Sequence, residues 1–166
     1  RFNPTRESKT MKLKIGDPAP LFTATATDGS IVKLSDYLGT KLVLYFYPMD
    51  DTPGCTKQAC SLRDHNQEIR DKGAAILGVS TQDAASHQRF TEKYGLNFPL
   101  VADTDGAVAR AYGAVCTPDY FGFNADLQLQ YRGRLDASGR LPAPADAPRE
   151  LFEALRALKP DHPRLR

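Results

Sequence analysis

Two apolar runs, KLVLYF at 41–46 and AAILGVS at 74–80, enclose a segment of helical periodicity, and this alternation limits the folds open to the chain. Each run reads as a buried strand, because continuous apolar character over six or seven residues leaves no polar face for solvent. Residues 55–72 between them read as a helix with Ala59, Leu62 and Ile69 turned inward and Gly73 as its stop. The rhythm continues. TQDAASHQRFTEKYG (81–95) places Phe90 and Tyr94 one helical turn apart before Gly95, and FPLVAD (98–103) follows as a third strand. Asp103 or Thr104 is positioned to cap a short helix ending at Tyr112.

The flanks add strands of another kind. LFTATATDGSIVKL (21–34) alternates around Asp28-Gly29 and predicts a tight hairpin. YFGFN (120–124) and LQLQYRGRL (127–135) read as two adjacent strands joined at Ala125-Asp126, the second with Leu127, Leu129, Tyr131 and Leu135 on one face. A Pro-rich loop (138–148) then leads to a last helix whose apolar stripe is Leu151, Phe152, Leu155 and Leu158. The expectation is an α/β domain, a central mixed β-sheet flanked by helices on both faces, over residues 11–160. Residues 1–10 read as a polar extension and 161–166 as a fraying tail; no repeat or linker divides the chain.

Composition excludes several partner classes. The 166 residues are 41% hydrophobic and 25% charged, enough for one compact core, and the formal net charge is +2. Lys and Arg are scattered, so neither nucleic acid nor an acidic membrane surface is indicated. No stretch approaches eighteen apolar residues and the start lacks a signal-peptide core, which predicts a soluble, cytoplasmic protein. Three cysteines are too few for a secreted disulfide scaffold.

The chemistry concentrates in YFYPMDDTPGCTKQAC (45–60). Cys55 falls where a strand has ended and a helix begins, so its sulfur is expected to face the positive end of that helix, which favours a thiolate; Lys57 and Arg63 would add to the effect. Thr52 offers a hydroxyl that both donates and accepts, and Pro48 can wall the sulfur off from water. The plainer readings remain: a small buried cysteine, or a metal clip. A clip usually needs four ligands at short spacings, whereas His65, His87 and His162 neither pair nor cluster and are expected on solvated helices or the tail.

Pro48, Thr52 and Cys55 form PxxxTxxC, and YFYPMDDTPGCTKQACSLRD closely resembles the active-site segment of peroxiredoxins; Cys60, five residues beyond Cys55, is similar to the Q-type or bacterioferritin-comigratory subfamily. The resemblance runs from about residue 11 to 115 and implies a thioredoxin-like fold. It implies Cys55 as the peroxidatic cysteine, attacking hydrogen peroxide or a small organic hydroperoxide to give a sulfenic acid. Thr52 and the Cys55 N–H would hold the peroxide and Pro48 would shield the sulfur. Cys60 would be the resolving cysteine, with thioredoxin or a similar dithiol as reductant, no metal, haem or flavin cofactor, and a monomeric or weakly dimeric state. The spacing adds a demand of its own. Residues five apart in an ideal helix have Cα atoms roughly 8.7 Å apart, whereas a disulfide tolerates up to about 6.8 Å. A Cys55–Cys60 bond therefore requires the start of the helix to unwind.

The last third departs from the Q-type pattern. The arginine expected ahead of the late strand is absent, and Pro118 stands near its place, which leaves Arg63, Arg132 or Arg134 as substitutes. CTPDYFGFN (116–124) resembles other AhpC/TSA-like oxidoreductases, which implies a cis Thr117-Pro118 bond and sets Cys116 near Cys55 as a further exchanging thiol or a buried one. Disulfide exchange on proteins and peroxide sensing with little turnover are the competing activities, the first disfavoured by the lack of C-x-x-C.

Overall fold

A computed structural model of the chain describes residues 13–114 and 119–133. Seven strands form one mixed sheet in the order β2-β1-β5-β4-β3-β6-β7. Strands β1 (Thr23–Ala26) and β2 (Ile31–Lys33) make the expected hairpin. Gly29 turns it with φ +85°, a conformation that suits a residue without a Cβ, and the Asp28 carboxylate accepts from the Ser30 N–H at 2.9 Å.

Strands β3 (Lys41–Phe46), β4 (Ala74–Ser80) and β5 (Leu100–Ala102) run parallel at the centre. Parallel neighbours need a crossover, and the helix-length segments read from the sequence supply it. Helix α1 (Pro53–Asp71) joins β3 to β4, and helix α2 (Ala84–Tyr94) joins β4 to β5. Pro53 suits the first helical position, where no N–H is needed, and Gly73 follows the end of α1 with φ +75°. Gly95 ends α2 in the same left-handed way.

The sheet separates two cores. On one face Ala59, Leu62 and Ile69 of α1 and Phe90 of α2 pack with Val43, Tyr45, Ile76 and Leu100. On the other, Leu42, Leu44, Leu77 and Val101 meet Leu34 from a short 3₁₀ turn and Val108 and Tyr112 of helix α3 (Ala107–Tyr112). Burial of each such large side chain contributes about 1.5–3 kcal/mol. Asp103, not Thr104, holds the start of α3: its two carboxylate oxygens accept from the Val108 and Ala109 N–H groups at 3.0 Å each.

Strands β6 (Asp119–Phe123) and β7 (Leu129–Gly133) extend the sheet antiparallel from β3. Here one expectation fails. Leu127 and Leu129 join the core of Phe121 and Phe123, while Tyr131 packs against the opposite core. The register shifts between Gly122 and Phe123, so Gly122 faces Tyr131 and Phe123 faces Leu129. Gln130 is thus an extra residue, and a bulge of one residue inverts the side-chain alternation beyond it. Leu127 lies before the strand, in the turn, with φ +57°. Leu135, Arg134, the helix expected around Leu151–Leu158, residues 1–10 and residues 161–166 lie outside the described residues.

Candidate active site

Strand β3 ends at Phe46 and the chain passes through Tyr47, Pro48, Met49, Asp50, Asp51 and Thr52 before α1 begins. Thr52 is the N-cap residue, extended at φ −93° and ψ 154°, and its carbonyl accepts the first helical bond from Thr56 N–H at 2.8 Å. Its hydroxyl does not cap the helix; it donates to the Met49 carbonyl at 3.3 Å. Cys55 is therefore in the first turn of α1, as the sequence placed it, among the backbone N–H groups that no helical carbonyl can satisfy. It is 5% exposed and belongs to the core that α1 shares with the sheet.

Cys60 is half-buried on the same unbroken helix, and both thiols are free. Pro48 is exposed and lines a cleft of about 240 Å³ with Phe46, Val79, Ser80 and Ala114, a lining that does not include Cys55. Lys57 is exposed. Arg63 is engaged elsewhere: it pairs with Asp64 at 2.9 Å and donates to the Tyr94 carbonyl. Arg132, a candidate for the missing charge, donates to the Asp119 carboxylate and the Gly113 carbonyl at 2.8 Å each and lies 4.6 Å over the Phe121 ring. Phe121 belongs to the core across the sheet from Cys55. Cys116, Thr117 and Pro118 lie outside the described residues, as does His162.

The structure adds residues that the sequence reading passed over. His87 was expected in solvent, yet it is 0% exposed. Its Nδ1 lies 2.8 Å from Asp50 Oδ2 and its Nε2 lies 3.0 Å from the Val101 carbonyl oxygen. Both neighbours are acceptors, so the ring bridges the Asp50 carboxylate and the β5 backbone. Asp50 also accepts from the Tyr47 hydroxyl at 2.6 Å and the Ser86 hydroxyl at 2.7 Å. Burial pushes the Asp50 carboxyl up, but the hydrogen bonds from His87, Tyr47 and Ser86 outweigh it and hold the group below the usual carboxylate range. The next residue, Asp51, has a left-handed backbone at φ +56° and accepts from Lys93 Nζ at 2.8 Å and from the Tyr94 hydroxyl. Helix α2 thus grips the segment before Cys55 at two consecutive aspartates. A signal existed: two acidic residues inside the motif, and a histidine on the inward stripe three residues before Phe90.

His65 is half-buried, its Nδ1 2.8 Å from the Ser61 carbonyl oxygen. Among the described residues, no group of three or more His, Cys, Asp or Glu is placed to hold a metal ion, and no helix is long and apolar enough to cross a membrane.

Residues 15–132 match the AhpC/TSA family. The chain belongs to that family. Peroxiredoxin Bcp of Escherichia coli (strain K12) is 40% identical over 129 residues, covering 78% of this chain and 83% of the relative. Peroxiredoxin Q, chloroplastic, of Oryza sativa subsp. japonica is 45% identical over 111 residues, 67% of this chain and 50% of the rice protein. Among solved structures, the bacterioferritin comigratory protein of Xanthomonas campestris, described with alkyl peroxide reduction activity, superposes with a TM-score of 0.77 at 29% identity, over 87% of this chain and 96% of that one. The fold is thioredoxin-like and the chain is a Bcp or Q-type peroxiredoxin, a thiol peroxidase acting on a peroxide with a thiol reductant.

Proposed function

We propose that Cys55 is the attacking thiol and that the protein reduces hydrogen peroxide and small organic hydroperoxides through a Cys55–Cys60 disulfide. One observation carries the assignment: Cys55 occupies the first turn of α1, directly after the Thr52 N-cap, where unpaired backbone N–H groups favour anionic sulfur and oxygen. The Cys55 sulfur anion attacks the hydroxyl oxygen of the peroxide and the O–O bond breaks. The leaving oxygen takes the proton lost when the thiol ionised and departs as water or an alcohol. Thr52, whose hydroxyl donates to Met49 at rest, keeps its lone pairs for the peroxide O–H. Pro48, on the same loop, shields the sulfur.

Cys60 then displaces water from the sulfenic acid and closes a disulfide. With α1 intact from Pro53 to Asp71, the two Cα positions stand too far apart, so the first turns unwind before the bond forms. Thioredoxin or a similar dithiol returns both cysteines to thiols and leaves as a disulfide. Stopped-flow mixing with peroxide, with and without a thioredoxin system, tests the sequence. Fast oxidation with turnover is expected, and Cys55→Ser abolishes it; peroxide consumption retained by Cys55→Ser would overturn the assignment. Fast oxidation without turnover would make the protein a sensor, and slow oxidation would favour disulfide exchange.

A further inference from the structure

Tyr45 of β3 and Tyr120 of β6 are direct partners in the antiparallel ladder, so both side chains leave the sheet on one face. It is the face of Cys55: all three belong to one buried core, with Tyr45 0% and Tyr120 1% exposed. The two rings stack with centroids 5.2 Å apart. Among the described residues, neither phenol oxygen has a hydrogen-bond partner. A buried hydroxyl left unpaired costs about 1–3 kcal/mol, and phenylalanine would fill the same space without that cost. Two adjacent orphans beside the reactive sulfur call for a chemical reason.

Among the described residues no guanidinium takes up the charge expected at this site: Arg63 is committed to Asp64 and Tyr94, and Arg132 lies on the far face of the sheet. We propose that the Tyr45 and Tyr120 hydroxyls are hydrogen-bond donors of the Cys55 pocket, serving the sulfur anion and the oxygens of the peroxide, a place that no arginine among the described residues fills. This rests on Cys55 being the attacking thiol.

Both phenols are suited to donate. Burial, then their mutual repulsion and the charge of Cys55, hold Tyr45 far above the usual phenol range, and burial followed by Cys55 does the same for Tyr120. They stay neutral O–H groups at any working pH, and they share one buried core with Cys55. As the O–O bond breaks, negative charge arrives on the leaving oxygen, and a preorganised donor stabilises it without surrendering its own proton. Tyr47 also feels Cys55, but its hydroxyl is already given to Asp50.

The experiment compares Tyr45→Phe, Tyr120→Phe and the double variant with the parent protein. Three readouts are taken: melting temperature, rate of Cys55 oxidation by peroxide, and pH profile of Cys55 alkylation by iodoacetamide. Other groups that influence the profile, Tyr47, Asp50, His87 and Cys60, are unchanged in all variants. The expected result is unchanged or higher melting temperature, Cys55 oxidation slower by on the order of 10²-fold in the double variant, and an alkylation midpoint moved to higher pH. Unchanged oxidation with an unchanged profile would overturn the proposal. So would a lower melting temperature, since it would show that the hydroxyls have structural partners. A parent protein that does not react with peroxide would instead defeat the assignment of Cys55, while the alkylation profile still judges the tyrosines.

Discussion

At the residue scale the two cysteines differ in what surrounds them. Cys55 is almost enclosed at the start of α1, whereas Cys60 is half-buried on a helix surface that Arg63 also occupies. In the proposed reaction this arrangement would separate the two chemical steps: attack would need only Cys55 in the folded helix, while closure of the disulfide would need Cys60 and an unwound one. Cys60→Ser is therefore expected to leave the first oxidation of Cys55 within about twofold of the parent rate, since no transition-state contact is lost. It is expected to stop dithiol-coupled turnover and to accumulate Cys55 as sulfenic, then sulfinic, acid under excess peroxide. Mass spectrometry of the alkylated protein reads both. Full turnover in this variant would transfer resolution to Cys116. These positions were legible in the sequence because the motif joins a chemical need to a local structure, a cysteine at the entrance of a helix. His87 was not legible, because its partner Asp50 lies 37 positions away and nothing local distinguishes a buried histidine from a solvated one.

At the element scale α2 carries more than the periodicity of Phe90 and Tyr94 suggested. Its inner face presents His87 to Asp50, and its C-terminal end presents Lys93 and Tyr94 to Asp51. Local patterning revealed the helix and its stop at Gly95, but a grip on a distant loop depends on the crossover that brings the two together. The same holds for β7, where alternation predicted the strand correctly and its facing wrongly, since the bulge at Gln130 depends on pairing with β6. The buried grip has a definite energetic consequence. His87→Ala removes one of the hydrogen bonds that the buried Asp50 carboxylate accepts, which costs about 1.5–3 kcal/mol. Urea unfolding followed by tyrosine fluorescence or circular dichroism should show that loss. Because the loop leads directly into Cys55, slower oxidation by peroxide is expected beneath the unfolding transition. A loss under 1 kcal/mol would mean that Asp50 finds water or another donor.

For the whole molecule, the Asp50–His87 pair ties the loop before Cys55, helix α2 and, through the Val101 carbonyl, strand β5 into one unit across the end of the sheet. Its pH dependence follows from the direction in which Asp50 is shifted. The folded carboxyl titrates below its unfolded counterpart, near 3.9, so the stabilisation is complete above that value and drains away as pH falls through the folded one. Asp28 and Asp51 shift the same way but are exposed, and their shares are screened. Ser86→Ala removes one of the hydrogen bonds that hold Asp50 down while keeping the Ser86 backbone N–H on Asp83. The variant is expected to lose about 1.5–3 kcal/mol near neutral pH, the worth of a hydrogen bond to a charged group. The difference from the parent should then shrink as the medium is acidified below pH ~4, because both proteins approach the state in which Asp50 is protonated. Urea midpoints measured at intervals between pH 7 and pH 2 check this. A difference that stayed constant down to the lowest pH would show that Ser86 acts through packing, and that the acid limb of stability is set elsewhere in the sheet.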